Sequence, residues 1–125
     1  KDLTLDSLDS RLLTSKPAFI DQLEWFATPQ DMVRLLTYLD RNASPETLAI
    51  LTVNPGIGED AARKWRYFGY KGGSEPGVLS YNFLLRSRAG KSYALSVNWN
   101  NKEQALQESE LLSLTTRLVS LLAEQ

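Results

Sequence analysis

From Val78 to Arg86 the side chains alternate, with Tyr81, Phe83 and Leu85 on one side of the chain and Ser80, Asn82 and Leu84 on the other. A period of two is that of a strand, and the first set requires a buried face. Turn sequences lie on both sides of this run. Gly72-Gly73-Ser74-Glu75-Pro76-Gly77 precedes it and Arg88-Ala89-Gly90-Lys91 follows it. A parallel connection needs a dozen or more residues, so the flanking segments must be antiparallel neighbours of the central one. Those segments, Arg66 to Lys71 and Tyr93 to Trp99, carry the aromatic and β-branched residues that strands favour. The second half of the chain is therefore predicted to be a three-stranded antiparallel sheet.

Helix signals stand before and after it. Thr28-Pro29-Gln30-Asp31 offers a cap, a proline at the first helical position and an acid where a capping box needs one. Met32, Leu35, Leu36 and Leu39 follow at helical spacing, and Asn42 ends the run. Ser44-Pro45-Glu46 repeats the start, Leu48 and Leu51 share a face, and Asn54-Pro55-Gly56 terminates. After the third strand Asn101 is placed to cap a long helix whose Leu106, Leu111, Leu114, Leu118, Leu121 and Leu122 should lie on the sheet. Residues 1–27 hold no sustained period and are interrupted by Pro17. They read as an irregular lead-in, with Phe19, Ile20, Leu23 and Phe26 on one face of a short helical turn. The expected fold is α+β, a single domain over residues 1–125. N-terminal helices and a long C-terminal helix pack on one face of the three-stranded antiparallel sheet.

Composition narrows the chemistry. The chain has neither cysteine nor histidine. A disulfide framework, a thiol nucleophile, a Ser-His-Asp triad and an imidazole or thiolate metal site are all excluded within it. Acid–base work has to run through Lys, Asp, Glu or Tyr. A net charge of −1 provides no general attraction to nucleic acid or an anionic membrane. No stretch approaches the roughly 20 apolar residues of a membrane span. No cofactor or metal is expected. The chain begins at Lys1 rather than Met, as a processed product or an excised domain would.

The segment Gly69-Tyr70-Lys71-Gly72-Gly73-Ser74-Glu75-Pro76-Gly77-Val78 carries the most specific pattern. It sets a lysine at the end of a strand beside two residues without side-chain bulk, where backbone can approach a ligand closely. The Lys71 ammonium can hold a carboxylate, and an exposed Ser74 amide can point at an oxyanion. A glycine-rich hairpin with a solvated lysine is the plainer reading of the same residues, and the segment matches neither a P-loop nor a dinucleotide fingerprint. Other groupings are weaker. Arg63, Lys64, Trp65, Arg66, Tyr67 and Lys71 mix bases with aromatics as single-strand binders do, or they alternate as a strand with its aromatics inside. Asp2, Asp6 and Asp9 lack the spacing of a calcium loop. Ser92, Tyr93 and Ser96 either face the site or are ordinary surface residues.

Lys71-Gly72-Gly73-Ser74 resembles the Lys-Thr/Ser-Gly signature of the penicillin-recognising serine hydrolases, the β-lactamase and penicillin-binding-protein family. Thr28 to Leu36 is similar to the Thr-Pro-x-Asp helix start of the class A β-lactamase-like group, and Ser44-Pro45-Glu46-Thr47 to its next helix. The order strand, Lys-x-Gly, two strands, helix is that of the family's C-terminal half. The resemblance covers about residues 9–125. It implies a partial β-lactamase-like fold in a periplasmic or extracellular protein that forms an acyl-serine with a β-lactam, peptide or ester.

In that setting Lys71 holds the substrate carboxylate, the Ser74 amide serves the oxyanion hole and Gly73 keeps the strand edge open. Gly72 stands where the family usually has a hydroxyl. No serine has a lysine three residues later, and no Ser-Asp-Asn or Glu-x-x-Leu-Asn is present. Glu24 is the nearest acid–base candidate. The resemblance thus implies that the nucleophile belongs to a missing N-terminal half. That half, or a second copy meeting this one through exposed sheet edges, is the expected partner beside a small-molecule or peptide substrate. The alternative is a non-catalytic binding or interaction module of the same fold.

Overall fold

The computed structural model describes residues 26–125. The expectations placed on Asp2, Asp6, Asp9, Pro17, Phe19, Ile20, Leu23 and Glu24 lie outside those residues. Helix α1 (Pro29–Asn42) starts with the capping box that its sequence predicts. The Asp31 amide donates to the Thr28 hydroxyl oxygen at 3.1 Å, and the Thr28 amide donates to the Asp31 carboxylate at 3.0 Å. Helix α2 (Pro45–Ile50) is capped by Ser44, whose hydroxyl oxygen accepts from the Thr47 amide at 3.3 Å. It ends before the expected Asn54-Pro55-Gly56. A third helix, α3 (Glu59–Ala62), has no counterpart in the sequence reading, because four residues are too few to display a period.

Strands β1 (Tyr67–Glu75), β2 (Val78–Arg86) and β3 (Ser92–Asn100) form one antiparallel sheet in the order β1-β2-β3. The fold is α+β, as expected, and β2 has its expected bounds. β1 does not end at Lys71. It continues through both glycines, pairing Gly72 with Tyr81 and Gly73 with Ser80, and the turn shrinks to Pro76-Gly77 with Gly77 at φ +83°. A left-handed residue in a two-residue connection matches the twist of the strands it joins. Lys71 therefore sits in mid-strand rather than at a strand's end.

Helices cover both faces of the sheet, not one. On the first face Phe68, Leu79, Tyr81, Phe83 and Leu85 pack with Ile57, Ala61 and Trp65 and with Leu111 and Val119 of helix α4 (Glu108–Leu122). Phe83 and Leu85 are wholly buried there. On the second face Leu84 is buried, as is Leu36 of α1. Arg86 on that face holds Asp40 of α1 through an Nε–H···Oδ1 bond of 2.9 Å and an Nη2–Oδ1 contact of 2.7 Å. The guanidinium also lies 5.1 Å from the centre of the Tyr67 ring.

Two expectations about the last helix need correction. Asn101 does not cap α4. Its side-chain oxygen accepts from the Glu103 and Gln104 amides at 2.9 and 3.3 Å, closing a turn before the helix starts. Nor does the whole leucine series face the sheet. Leu111, Thr115 and Val119 are buried, while Leu114 and Leu121 are 68% and 52% exposed. Spacing of four, not the leucines themselves, selects the inward face. No helix among the described residues is long and apolar enough to cross a membrane.

Candidate functional site

Lys71, Gly72, Gly73 and Ser74 line one open groove of about 410 Å³. Ile50 at the end of α2 and Val53 and Asn54 in the loop after it line it as well, together with Tyr70, Tyr81 and Glu108 of α4. Two hydrogen bonds hold α2 beside β1. The Tyr70 amide donates to the Leu51 carbonyl at 2.8 Å, and the Tyr67 hydroxyl donates to the Leu48 carbonyl at 2.8 Å.

The first of these bonds also orients the edge. β1 is an outer strand, and the Tyr70 amide points away from β2. In an antiparallel ladder alternate residues turn their amides to the same side. The Gly72 and Ser74 amides therefore face the groove rather than β2. Lys71 projects from the sheet face opposite α4, and its ammonium turns back to the edge, donating to the Gly72 carbonyl. No carboxylate among the described residues lies within ion-pair distance of it. The four residues singled out from the sequence thus lie together around a cation and two outward amides.

Tyr70 explains why glycine stands at position 72. Its ring lies between Gly56 and Gly72, and a methyl group on either would run into it: at Gly56 into the ring, at Gly72 into the hydroxyl. Gly56 also has φ +64°, which favours glycine independently. The ring rests on Phe83 and Tyr81 with centroids 5.1 and 6.1 Å apart. The place that the family resemblance gives to a hydroxyl-bearing side chain at 72 is taken by the phenol of Tyr70.

Beside it the Tyr81 hydroxyl donates to Glu108 at 3.0 Å. Burial, followed by that hydrogen bond, pushes the Tyr81 phenol up to about 12, and burial also raises Tyr70. Both phenols are protonated donors at neutral pH. The groove sets a positive group at Lys71 and a negative one at Glu108, with neutral phenols and backbone donors between.

Behind Lys71 lies a polar network on the second sheet face. The buried Asn82 donates to the Lys71 carbonyl at 3.1 Å and to the Ser80 hydroxyl at 2.9 Å, and accepts from Ser96 at 2.7 Å. Ser96 thus reaches Lys71 only through Asn82. It does not line the groove, and neither do Ser92 and Tyr93. Tyr93 is on the other face, its ring 5.6 Å from that of Trp65 in an edge contact. The basic–aromatic set also separates. Trp65 is buried, Tyr67 is held by α2 and Arg86, Arg63 pairs with Glu59 and Asp60, and only Lys71 borders the groove.

The sequence reading missed Glu108, Tyr81 and the end of α2 as parts of this site. Tyr81 reads as a core residue because it alternates with its neighbours. Glu108 is one of several acids in a leucine-rich helix, with no local mark that sets it apart. Comparison of the chain with protein-family models and with curated proteins gives no match. The arrangement can bind an anionic group at Lys71 and polarise an oxygen at the edge amides. No serine among the residues lining the groove is hydrogen-bonded to a general base.

Proposed function

We propose that this chain supplies the substrate-holding wall of a penicillin-recognising serine hydrolase, exported to the periplasm or beyond the cell, whose nucleophile comes from outside these 125 residues. What supports the reading is one placement: Lys71 and the Ser74 amide share the open edge of β1 and a single groove, with the lysine on the sheet face away from α4. Lys71 pairs with the carboxylate of a β-lactam, peptide or ester. The Ser74 amide donates to the carbonyl oxygen as negative charge develops on it, when such a bond is worth most. Nucleophile and electrostatic groups act as a unit, so the chain by itself turns nothing over.

Incubation with a fluorescent penicillin, read by anisotropy and by intact mass, tests this. Reversible binding without a mass adduct is expected, weakened at least about ten-fold in Lys71→Ala, as for loss of a charge-assisted bond. A covalent adduct on this chain overturns the assignment of the nucleophile elsewhere. Equal binding by Lys71→Ala overturns the role of the lysine. The second reading, a non-catalytic module that holds an anionic ligand in the same groove, is favoured by the missing Ser-x-x-Lys. It predicts the same binding, with no gain of turnover when a complementary N-terminal half is added.

A further inference from the structure

Asn82 breaks the pattern of β2. Asparagine is poorly suited to a strand, yet this one is buried in the middle of the central strand, between Tyr81 and Phe83. A buried amide destabilises the fold unless each of its polar atoms is paired. Here each one is. One Nδ2 hydrogen goes to the Lys71 carbonyl. The other goes to the Ser80 hydroxyl, whose own proton goes to the Asn98 side-chain oxygen at 2.9 Å. Oδ1 accepts from Ser96. Reversing the amide would set Oδ1 against the Lys71 carbonyl, so the network fixes its direction. The carbonyl held in this way belongs to the peptide unit that joins Lys71 to Gly72. Lys71 and Asn82 are partners in the ladder. Because the Tyr70 amide turns outward, the Lys71 carbonyl turns to β2, where the backbone amide and the side chain of Asn82 both reach it. The N–H of the same peptide unit, that of Gly72, points the other way, into the groove. No backbone carbonyl among the described residues accepts from it.

We propose that the Gly72 amide joins the Lys71 ammonium in holding the ligand's carboxylate, and that Asn82 is the positioning residue that aims and polarises this amide from behind. The inference rests on the reading that Lys71 takes a carboxylate. The two donors are neighbours: the ammonium rests on the Gly72 carbonyl, and in an extended strand the amide and carbonyl of one residue leave the same side. A cation and an N–H that converge on one carboxylate make a charge-assisted set. A peptide whose oxygen accepts two hydrogen bonds is the more polarised, and its N–H the stronger donor. The relay runs from the Ser96 hydroxyl through Asn82 and the Lys71 carbonyl to the Gly72 nitrogen. A hydroxyl-bearing side chain at position 72 would donate to the carboxylate itself. Glycine has none, and the backbone N–H takes that part. Every bond of the relay lies within the sheet, so it does not depend on what covers the sheet's edges.

Amide NMR of the chain, titrated with benzylpenicillin, with its methyl ester as the uncharged control and with acetate, tests this. Asn82→Leu removes the side-chain bonds at similar volume. Ser96→Ala removes only the donor to Oδ1 and keeps the test open should Asn82→Leu fail to fold. The Gly72 nitrogen resonance should move upfield in both variants, further in Asn82→Leu, because it follows the polarisation of its own peptide carbonyl. In the wild type each carboxylate should shift the Gly72 amide. The dissociation constant for benzylpenicillin should rise about five-fold in Asn82→Leu and about two-fold in Ser96→Ala, with that of the ester unchanged. A purely structural role for Asn82 would weaken acid and ester alike, and that outcome overturns the proposal. So does equal binding of benzylpenicillin by all three chains, or a Gly72 amide that neither carboxylate moves. Should acetate shift that amide, and less readily in the variants, while benzylpenicillin does not bind, the hydrolase reading falls and the role of Asn82 stands.

Discussion

Replacing Tyr81 by phenylalanine removes one oxygen, and the structure sets both the size and the pH dependence of the result. That oxygen donates to Glu108 at 3.0 Å and ties the first turn of α4 to the middle strand. The residue is 3% exposed, and burial with the nearby carboxylate raises the phenol from 10.0 to about 12. Below pH 10 the phenol is protonated in folded and unfolded chains alike. Tyr81→Phe then loses one hydrogen bond to an exposed acid, about 1 kcal/mol. Above pH 10 the unfolded wild type ionises while the folded form keeps its proton. The folded state then binds more protons than the unfolded one, so stability falls as pH rises. The loss runs from about pH 10 to about pH 12 and totals up to about 2.7 kcal/mol for a two-unit shift.

Tyr81→Phe lacks this titration, and the remaining tyrosines cancel in the comparison. The wild type should be the more stable by about 1 kcal/mol near pH 8, equal to the variant near pH 11, and the less stable at pH 12. Urea unfolding followed by tryptophan fluorescence at pH 8, 10, 11 and 12 measures the crossing. A gap that stays constant over this range would refute the argument from burial. Folded protein whose tyrosinate absorbance develops fully by pH 10 would refute it as well.

Further changes probe other parts of the fold. Phe83→Ala empties a wholly buried site against Phe68 and Tyr70 and should cost about 3–5 kcal/mol in the same assay. Gly72→Thr should cost about 1–3 kcal/mol because the Tyr70 ring must move, and much less in a Tyr70→Ala background. A double-mutant cycle reads that coupling, and additive costs would sink the account of Gly72. Arg86→Met strips the half-buried Asp40 of its cation and loosens α1 from the sheet. A loss of about 2 kcal/mol is expected, and more than for Asp40→Asn, which keeps a hydrogen-bond acceptor.

Much of this architecture is written locally. The Thr28–Asp31 box and the Ser44 cap are made by residues three apart, and β2 declares itself by a period of two, so neighbouring residues suffice to place them. Lys71 to Ser74 are contiguous, and their grouping needed no fold. Tertiary structure decided the rest. The Gly72-Gly73 pair reads as a turn in isolation but extends β1, because β2 supplies partners for its backbone. Thr115 is buried and Leu114 exposed because the direction in which α4 lies on the sheet outranks hydrophobicity. α1 covers the second face through Leu36 and through Asp40, whose partner Arg86 lies 46 residues away. The groove joins Ile50, Tyr70, Tyr81 and Glu108 from four separate elements. Contacts of that kind exist only after distant segments have met, and no local pattern of spacing or charge records them.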